Sequence, residues 1–149
     1  MQVTNQVHPT EPGQIEKVME SGPQGPIVMA NPLKFKDRAE YKDGHDTSLT
    51  GREAYMLYAN AVTDILQECG GRVLFGGDVT HLSLGIVDDL WDEVALAEYP
   101  NRGAMVAMSQ SPAFAAAGVH RVAGLEGQLN IETTYSADLP QILNSETIR

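Results

Sequence analysis

The clearest pattern of hydrophobic and polar positions lies over residues 50–69, where apolar side chains recur at spacings of three and four. That period is typical of an amphipathic helix with one face on a core. Thr50 and Glu53 form a capping box, in which the hydroxyl accepts from the Glu53 amide and the carboxylate reaches back. Gly70 suits the left-handed turn that ends a helix. The pattern therefore predicts a helix over this segment.

The segment from Pro26 to Leu33 shows a different pattern, because it is apolar at almost every position. A short apolar run without alternation predicts a strand that is covered on both faces. Pro32 cannot donate to a β-ladder, so we expect the strand to end or bulge there. The charged stretch from Lys34 to Ser48 follows, and its length favours either a functional loop or a mobile one.

Shorter elements complete the pattern. A second strand is predicted over Arg72 to Phe75, and Gly76-Gly77-Asp78 bends it. Leu82 to Val87 is predicted to continue this strand or to form the arm of a hairpin. Two further strands are predicted, one over Val94 to Tyr99 and the last within Arg121 to Thr133. The further helices predicted are a short one that opens at Thr10, one from Arg102 to Met108, and an alanine-rich turn from Ser111 to Gly118.

This order predicts an α+β, ferredoxin-like βαββαβ domain, with an antiparallel sheet and helices on one face. The other face would be open, yet Ile27–Ala30 and Val94–Ala97 are apolar at successive positions. A sheet that is apolar on both sides needs a second cover, and a partner sheet is the simplest one. We expect a sheet-to-sheet homodimer, built from a domain over 26–135, with an N-terminal arm and extra helix over 1–25 and a tail over 136–149.

Composition and charge narrow the function classes. The chain has 149 residues, enough for one domain with a core, and a formal net charge of -10, which repels nucleic-acid phosphates and anionic lipid. It has one cysteine, no signal-peptide pattern, and no apolar run near the roughly 20 residues that a membrane span needs. We expect a cytoplasmic protein that binds neither nucleic acid nor membrane.

Four short motifs follow one another along the chain. They are Gly70-Gly71-Arg72-Val73-Leu74, Ala97-Glu98-Tyr99-Pro100-Asn101-Arg102, Ser111-Pro112-Ala113-Phe114 and His120-Arg121. In this order, the segment from about Pro26 to Thr133 resembles an uncharacterised bacterial domain family, a domain of unknown function, in the dimeric α+β barrel superfamily. Met108-Ser109 stands where that family often has Trp-Tyr. The resemblance implies the ferredoxin-like fold and the dimer, and it implies no settled activity.

The first candidate site residues lie in and after the charged loop. His45-Asp46 places an imidazole beside a carboxylate, and such a pair commonly acts as a general base. Arg52, Tyr55 and Tyr58 follow on the predicted helix, where the tyrosines can steady an oxyanion and the arginine can bind substrate. The alternative interpretation is a solvated loop followed by two tyrosines that fill the core.

Two further candidate groups lie later in the chain. His120 can move a proton and Arg121 can bind a carboxylate as a fork, or the two can act as cations at a helix end. Glu98 shares a strand face with apolar residues, where an unpaired acid is costly. Arg72 is its natural partner, which leaves a structural salt bridge and a substrate-binding acid as alternatives.

No sequence pattern indicates a metal or a cofactor, since His-x-x-x-His, cysteine pairs and a glycine-rich strand-to-helix loop are all absent. One hypothesis is a cofactor-free acid–base enzyme, a lyase, cyclase or isomerase for a small hydrophobic carbonyl or aromatic compound. His45 or His120 would move the proton, and Tyr55, Tyr58 or Arg121 would steady the oxyanion. The other hypothesis is a non-catalytic binder of a small apolar ligand, or a stress-related structural dimer.

Overall fold

The computed structural model describes Gln14, Lys17 and residues 22–136. The strands in these residues are β1 (Ile27–Phe35), β2 (Arg72–Asp78), β3 (Glu93–Tyr99), β4 (Leu125–Gln128) and β5 (Ile131–Thr133). The helices are α1 (Gly51–Glu68), α2 (Arg102–Ser109) and α3 (Pro112–Gly124). The predicted N-terminal helix lies outside the described residues except for Gln14 and Lys17, and the predicted tail lies outside them after residue 136.

The strands form one antiparallel sheet in the order β2-β3-β1-β4. The short strand β5 follows β4 along the same edge of β1, where it pairs with Val28–Ala30. Alternate residues of β1, from Ile27 to Phe35, pack against side chains of all three helices. The helices therefore cover one face of the sheet, and the predicted α+β fold is confirmed. The caps at Thr50, Asn101 and Ser111 start the three helices as expected from their side chains.

Two glycines bring α1 and α3 into backbone contact. A Cβ atom added to Gly124 would lie 2.3 Å from the carbonyl oxygen of Gly51 and 2.9 Å from the amide nitrogen of Tyr55. Real Cβ atoms do not approach backbone that closely, so the two helices can cross at this distance only because both positions lack a side chain. This contact fixes the end of α3 against the start of α1.

The expectation that β1 ends or bulges at Pro32 is wrong. Pro32 lies in register opposite Val94, and the strand continues to a bulge between Lys34 and Phe35. On its other side, Pro32 faces the interruption between β4 and β5, where its carbonyl accepts from the amide of Leu129 at 3.2 Å. A proline is tolerated there because the missing N–H lies where the neighbouring ladder is already broken.

The strand predicted over Leu82–Val87 is also wrong. Residues 79–92 form a loop, and β2 runs on through Gly76 and Gly77 to Asp78 in register with β3. Gly85 has a φ of 99°, which turns the chain away from the extended conformation that a strand requires. Leu84 and Ile86 are 89% and 96% exposed as a result.

The end of the chain differs from the prediction in two ways. The helix that begins at Ser111 continues through Gly118 to Gly124, because packing against α1 outweighs the modest cost of one glycine in a helix. The predicted last strand is divided into β4 and β5, which pair with different parts of β1. Its periodic pattern is therefore interrupted at Leu129–Asn130.

Candidate functional site

The loop over 36–50 is held against the end of α3 by backbone hydrogen bonds. Lys36 N–H donates to the Gly124 carbonyl at 2.8 Å, and Glu40 N–H donates to the Ala123 carbonyl at 2.9 Å. These carbonyls belong to the last turn of a helix, where no intrahelical donor is present. Ala39 is buried against Ala123 in the same place. The long loop is therefore attached to α3, and its side chains are presented beside that helix.

His45 is oriented by Asp43. Its Nδ1 lies 2.5 Å from Oδ1 of Asp43, and its backbone N–H donates to the same oxygen at 3.0 Å. These hydrogen bonds, the backbone one first, hold the pKa of the Asp43 carboxyl below its usual value. An ionised carboxylate can only accept, so Nδ1 of His45 is the donor in this contact. Asp46, whose carboxylate was predicted to stand beside the imidazole, is exposed, and Asp43 takes that place.

Tyr41 joins His45 to His120. Its ring stacks on the His45 ring with centroids 4.5 Å apart and planes inclined by 27°. Its hydroxyl oxygen lies 2.6 Å from Nδ1 of His120, whose ring meets the tyrosine edge-on at 5.5 Å. We call Asp43, His45, Tyr41 and His120 the two-histidine cluster. Asp43 and His45 are exposed while Tyr41 and His120 are half-buried, so the cluster is accessible from solvent.

Tyr55 and Tyr58 lie in the core, apart from the two-histidine cluster. Burial is the main reason why the pKa values of both phenols are raised. Arg121, which is only 8% exposed, places its guanidinium 5.5 Å from the ring centroid of Tyr58 and 5.9 Å from that of Phe114. Adjacent residues of α3 thus lie in two environments: His120 contacts the loop, and Arg121 contacts the core aromatics.

Arg52 links α1 to the ends of the two strands of the β2–β3 pair. Its Nη1 lies 2.8 Å from Oδ1 of Asp78 and 2.8 Å from Oε2 of Glu93, and its guanidinium lies 4.6 Å from the Phe35 ring centroid. Burial raises the pKa of Glu93, and the positive charge of Arg52 opposes that rise. Arg52 therefore connects the start of α1 to the Asp78 and Glu93 ends of these strands by ion pairs.

Glu98 and Arg72 lie on the sheet face that α1, α2 and α3 do not cover. Nε of Arg72 is 3.0 Å from Oε1 of Glu98, and the Tyr135 hydroxyl donates to the other carboxylate oxygen. The predicted salt bridge is therefore confirmed. The substrate-binding role of these two residues stays a prediction, and they lie on the opposite side of the sheet from Tyr58 and Arg121.

Sequence reasoning missed two members of the two-histidine cluster. Asp43 has no role in the sequence analysis beyond its place in the charged stretch from Lys34 to Ser48, although an aspartate two residues before a histidine can accept from its backbone amide. Tyr41 has no local signal, because its partner His120 is 79 residues away. Only the packing of the loop on α3 shows that the two predicted histidines share one tyrosine.

Within the described residues, no group of three or more His, Cys, Asp or Glu side chains is placed to hold a metal ion. No helix in the same part of the chain is long and apolar enough to cross a membrane.

The antiparallel sheet with three helices on it defines a small α+β protein, and the comparisons with known proteins agree. Residues 45–134 match the family model described as Domain of unknown function (DUF1330). That match spans more than half of the 149 residues, so this protein belongs to the DUF1330 family. The predicted resemblance to a domain family of unknown function is confirmed. His45 and His120 both lie within the matched residues, whereas Tyr41 and Asp43 precede them.

Two solved structures with TM-scores above 0.7 have the same fold. The crystal structure of methylated RPA0582 protein is 32% identical, with a TM-score of 0.80 over 91% of this chain and 98% of that one. RPA0582 from Rhodopseudomonas palustris, a protein of unknown function, is 32% identical, with a TM-score of 0.76 over 87% of this chain and 96% of its own. A dimeric protein of unknown function with a ferredoxin-like fold from Bacteroides fragilis is 12% identical, with a TM-score of 0.45 over 74% and 96%. Curated proteins gave no match.

Proposed function

We propose that this protein is a cofactor-free acid–base enzyme of the lyase, cyclase or isomerase type, acting on a small hydrophobic carbonyl or aromatic compound. The observation that supports the proposal is the contact of Tyr41 with both histidines. Residues far apart in the chain thereby form one solvent-accessible group with two imidazoles. Enolisation removes a proton from carbon and delivers one to the carbonyl oxygen, and two imidazoles can supply a separate base and acid for these two transfers.

His45 is proposed as the base. A carboxylate that accepts the Nδ1 proton fixes the tautomer of a neutral imidazole and leaves Nε2 as the proton acceptor. Asp43 has this position and does not touch the substrate itself. His45 would remove a proton from the carbon next to the carbonyl group of the substrate.

His120 is proposed as the acid. In this assignment the Tyr41 hydroxyl donates to Nδ1 of a neutral His120, whose ring proton then lies on Nε2. As the enol forms, Nε2–H passes its proton to the carbonyl oxygen, and the Tyr41 proton moves to Nδ1. The imidazole of His120 stays neutral, and the negative charge on Tyr41 lies beside the imidazolium of His45. Return of the protons, to the same carbon or to a neighbouring one, restores the starting state.

Deuterium exchange tests this proposal without knowledge of the natural substrate. We would incubate the protein in D2O with phenylacetone, acetophenone and 2-octanone, and follow the α-proton signals by NMR. Exchange faster than in buffer that contains the same concentration of imidazole is the expected result. If all three ketones exchange at the buffer rate, the proposal that this cluster catalyses acid–base chemistry on carbonyl compounds is wrong.

A homodimer is the second proposal, and it agrees with a non-catalytic ligand-binding or structural function as well as with an enzyme. The open sheet face is apolar at Ala30, Val94 and Leu96, and Phe75, opposite Leu96, is 54% exposed. Monomeric proteins rarely leave such a continuous apolar surface in water. A second copy of the same face would cover it. The single cysteine, which cannot form an intrachain disulfide, supports a cytoplasmic location for this dimer.

Phe75→Asp should convert the dimer to a monomer, because it places a charge in the apolar centre of the proposed interface. Sedimentation velocity at micromolar concentration measures the change. Leu57→Asp is the matched control, since Leu57 is exposed on α1, on the side of the molecule away from the open face. The control should sediment as the wild type does. A monomeric wild type, or a dimeric Phe75→Asp, would contradict a sheet-to-sheet dimer.

A further inference from the structure

Three members of the two-histidine cluster lie close together in the chain, between Tyr41 and His45. In an extended chain the Cα atoms of residues 41 and 45 would be about 13 Å apart, because each residue adds roughly 3.3 Å. The Tyr41 and His45 rings instead stack with centroids 4.5 Å apart. The backbone must therefore reverse its direction between these two residues.

Two consecutive turns produce this reversal, and both involve Gly44. The Gly44 N–H donates to the Tyr41 carbonyl at 2.9 Å, which closes a β-turn with Lys42 and Asp43 at its centre. The His45 N–H donates to Oδ1 of Asp43 at 3.0 Å, which closes a side-chain turn with Gly44 in the middle. Gly44 thus joins the turn that starts at Tyr41 to the turn that ends at His45.

Gly44 has a backbone conformation that other residues rarely adopt. Its φ is 79°, in the left-handed region, where the Cβ atom of an L-residue is strained against its own backbone. A Cβ atom added to Gly44 would meet no other atom within 4 Å. The space around this position accepts a side chain, so the backbone conformation alone favours glycine.

Local conformation, rather than core packing, decides where the His45 ring lies. Hydrogen bonds from Lys36 and Glu40 attach the start of the loop to α3, and the Ala39 N–H donates to the Leu49 carbonyl at 3.0 Å across its base. Between these points residues 42–46 are exposed, so no core contact holds them. The two turns therefore carry the main restraint on His45.

We infer that Gly44 is a positioning residue of the two-histidine cluster, whose left-handed conformation holds His45 on Asp43 and against Tyr41. This inference rests on the proposed function, in which His45 is the base. Gly44 has no side chain with which to take part in the chemistry. Its effect on the proton transfer would act through the orientation of the imidazole.

Gly44→Ala should slow protein-dependent α-proton exchange of the ketones by about tenfold, the change in population that left-handed strain at one L-residue would give. Gly44→Asn should be faster than Gly44→Ala, because asparagine adopts the left-handed conformation more readily. Gly85→Ala is the matched control. Gly85 also has a positive φ, 99°, with no atom within 4 Å of an added Cβ, but it lies in the loop over 79–92. This control should exchange at the wild-type rate.

A titration of the Asp43 carboxyl carbon by 13C NMR gives a second readout that needs no substrate. In the wild type, hydrogen bonds from His45 hold the pKa of this carboxyl below its usual value. Gly44→Ala should raise the pKa towards that value, because donors that favour the charged form are lost. Gly85→Ala should leave it unchanged, although it carries a similar backbone strain.

The two readouts separate this inference from the proposed function. A wild type that exchanges no ketone would contradict the proposed catalysis, and the Asp43 titration would still decide whether Gly44 holds the turn. An unchanged Asp43 pKa in Gly44→Ala would overturn the inference. Wild-type exchange in Gly44→Ala, or an equal loss in Gly85→Ala, would overturn it too.

Discussion

Replacing His45 with glutamine should slow protein-dependent α-proton exchange by about 100- to 10,000-fold, the range expected for the loss of a general base. Glutamine has similar size and polarity but cannot take a proton from carbon. The His45 side chain is largely exposed, so the substitution should leave stability almost unchanged. NMR exchange rates in D2O, with circular dichroism to confirm the fold, measure both effects.

His81→Gln is the matched control for this prediction. His81 is an exposed histidine in the loop between β2 and β3, so the variant removes an imidazole without touching the two-histidine cluster. It should exchange the ketone protons at the wild-type rate. Equal losses in His45→Gln and His81→Gln would show that surface imidazoles act non-specifically, and the assignment of His45 as the base would then be wrong.

The variants Tyr41→Phe and His120→Gln test the assignment of His120 as the general acid. Phenylalanine keeps the ring that stacks on His45 and removes only the hydroxyl that faces His120. If His120 acts as the acid through its Nδ1 partner, both variants should be slow, and their double variant should lose little more than His120→Gln alone. Fully additive losses would place Tyr41 and His120 in separate roles.

Gly124→Ala should destabilise the protein by about 1–3 kcal/mol, the usual cost of forcing extra atoms into a packed contact. The new methyl group would meet the carbonyl oxygen of Gly51 at 2.3 Å, and neither backbone can move without separating α1 from α3. Because the loop over 36–50 bonds to the same carbonyl of Gly124, its attachment should weaken too. Urea denaturation measures the free energy of unfolding.

Gly118→Ala, on the same helix, is the control with the opposite expected sign. A Cβ atom at Gly118 meets nothing within 4 Å, so alanine adds no clash. It should stabilise the helix by about 0.5–1 kcal/mol, because glycine loses more backbone freedom on folding. If Gly124→Ala were as stable as Gly118→Ala, the conclusion that the contact between α1 and α3 requires glycine at position 124 would be wrong.

Local signals in the sequence were sufficient for the elements that organise the fold. The period of apolar residues and the Thr50–Glu53 capping box determine α1, since both act within a few residues of the chain. The apolar segments at β1 and β3 follow for the same reason. The predictions failed where a residue's neighbours in space decide its conformation, at Pro32, at the glycine within α3 and in the exposed apolar loop around Gly85.

The sequence by itself determined an α+β protein with an antiparallel sheet, and it placed His45 and His120 among the candidate residues by their chemistry alone. Only the tertiary structure decided that these histidines meet through Tyr41, that Asp43 orients one of them, and that Arg121 faces the core. The physical reason is that backbone propensity and hydrophobic period are properties of short segments. A contact between residues 41 and 120 depends on how the loop over 36–50 packs on α3, and hydrogen bonds from Lys36 and Glu40 to the last turn of that helix fix this packing.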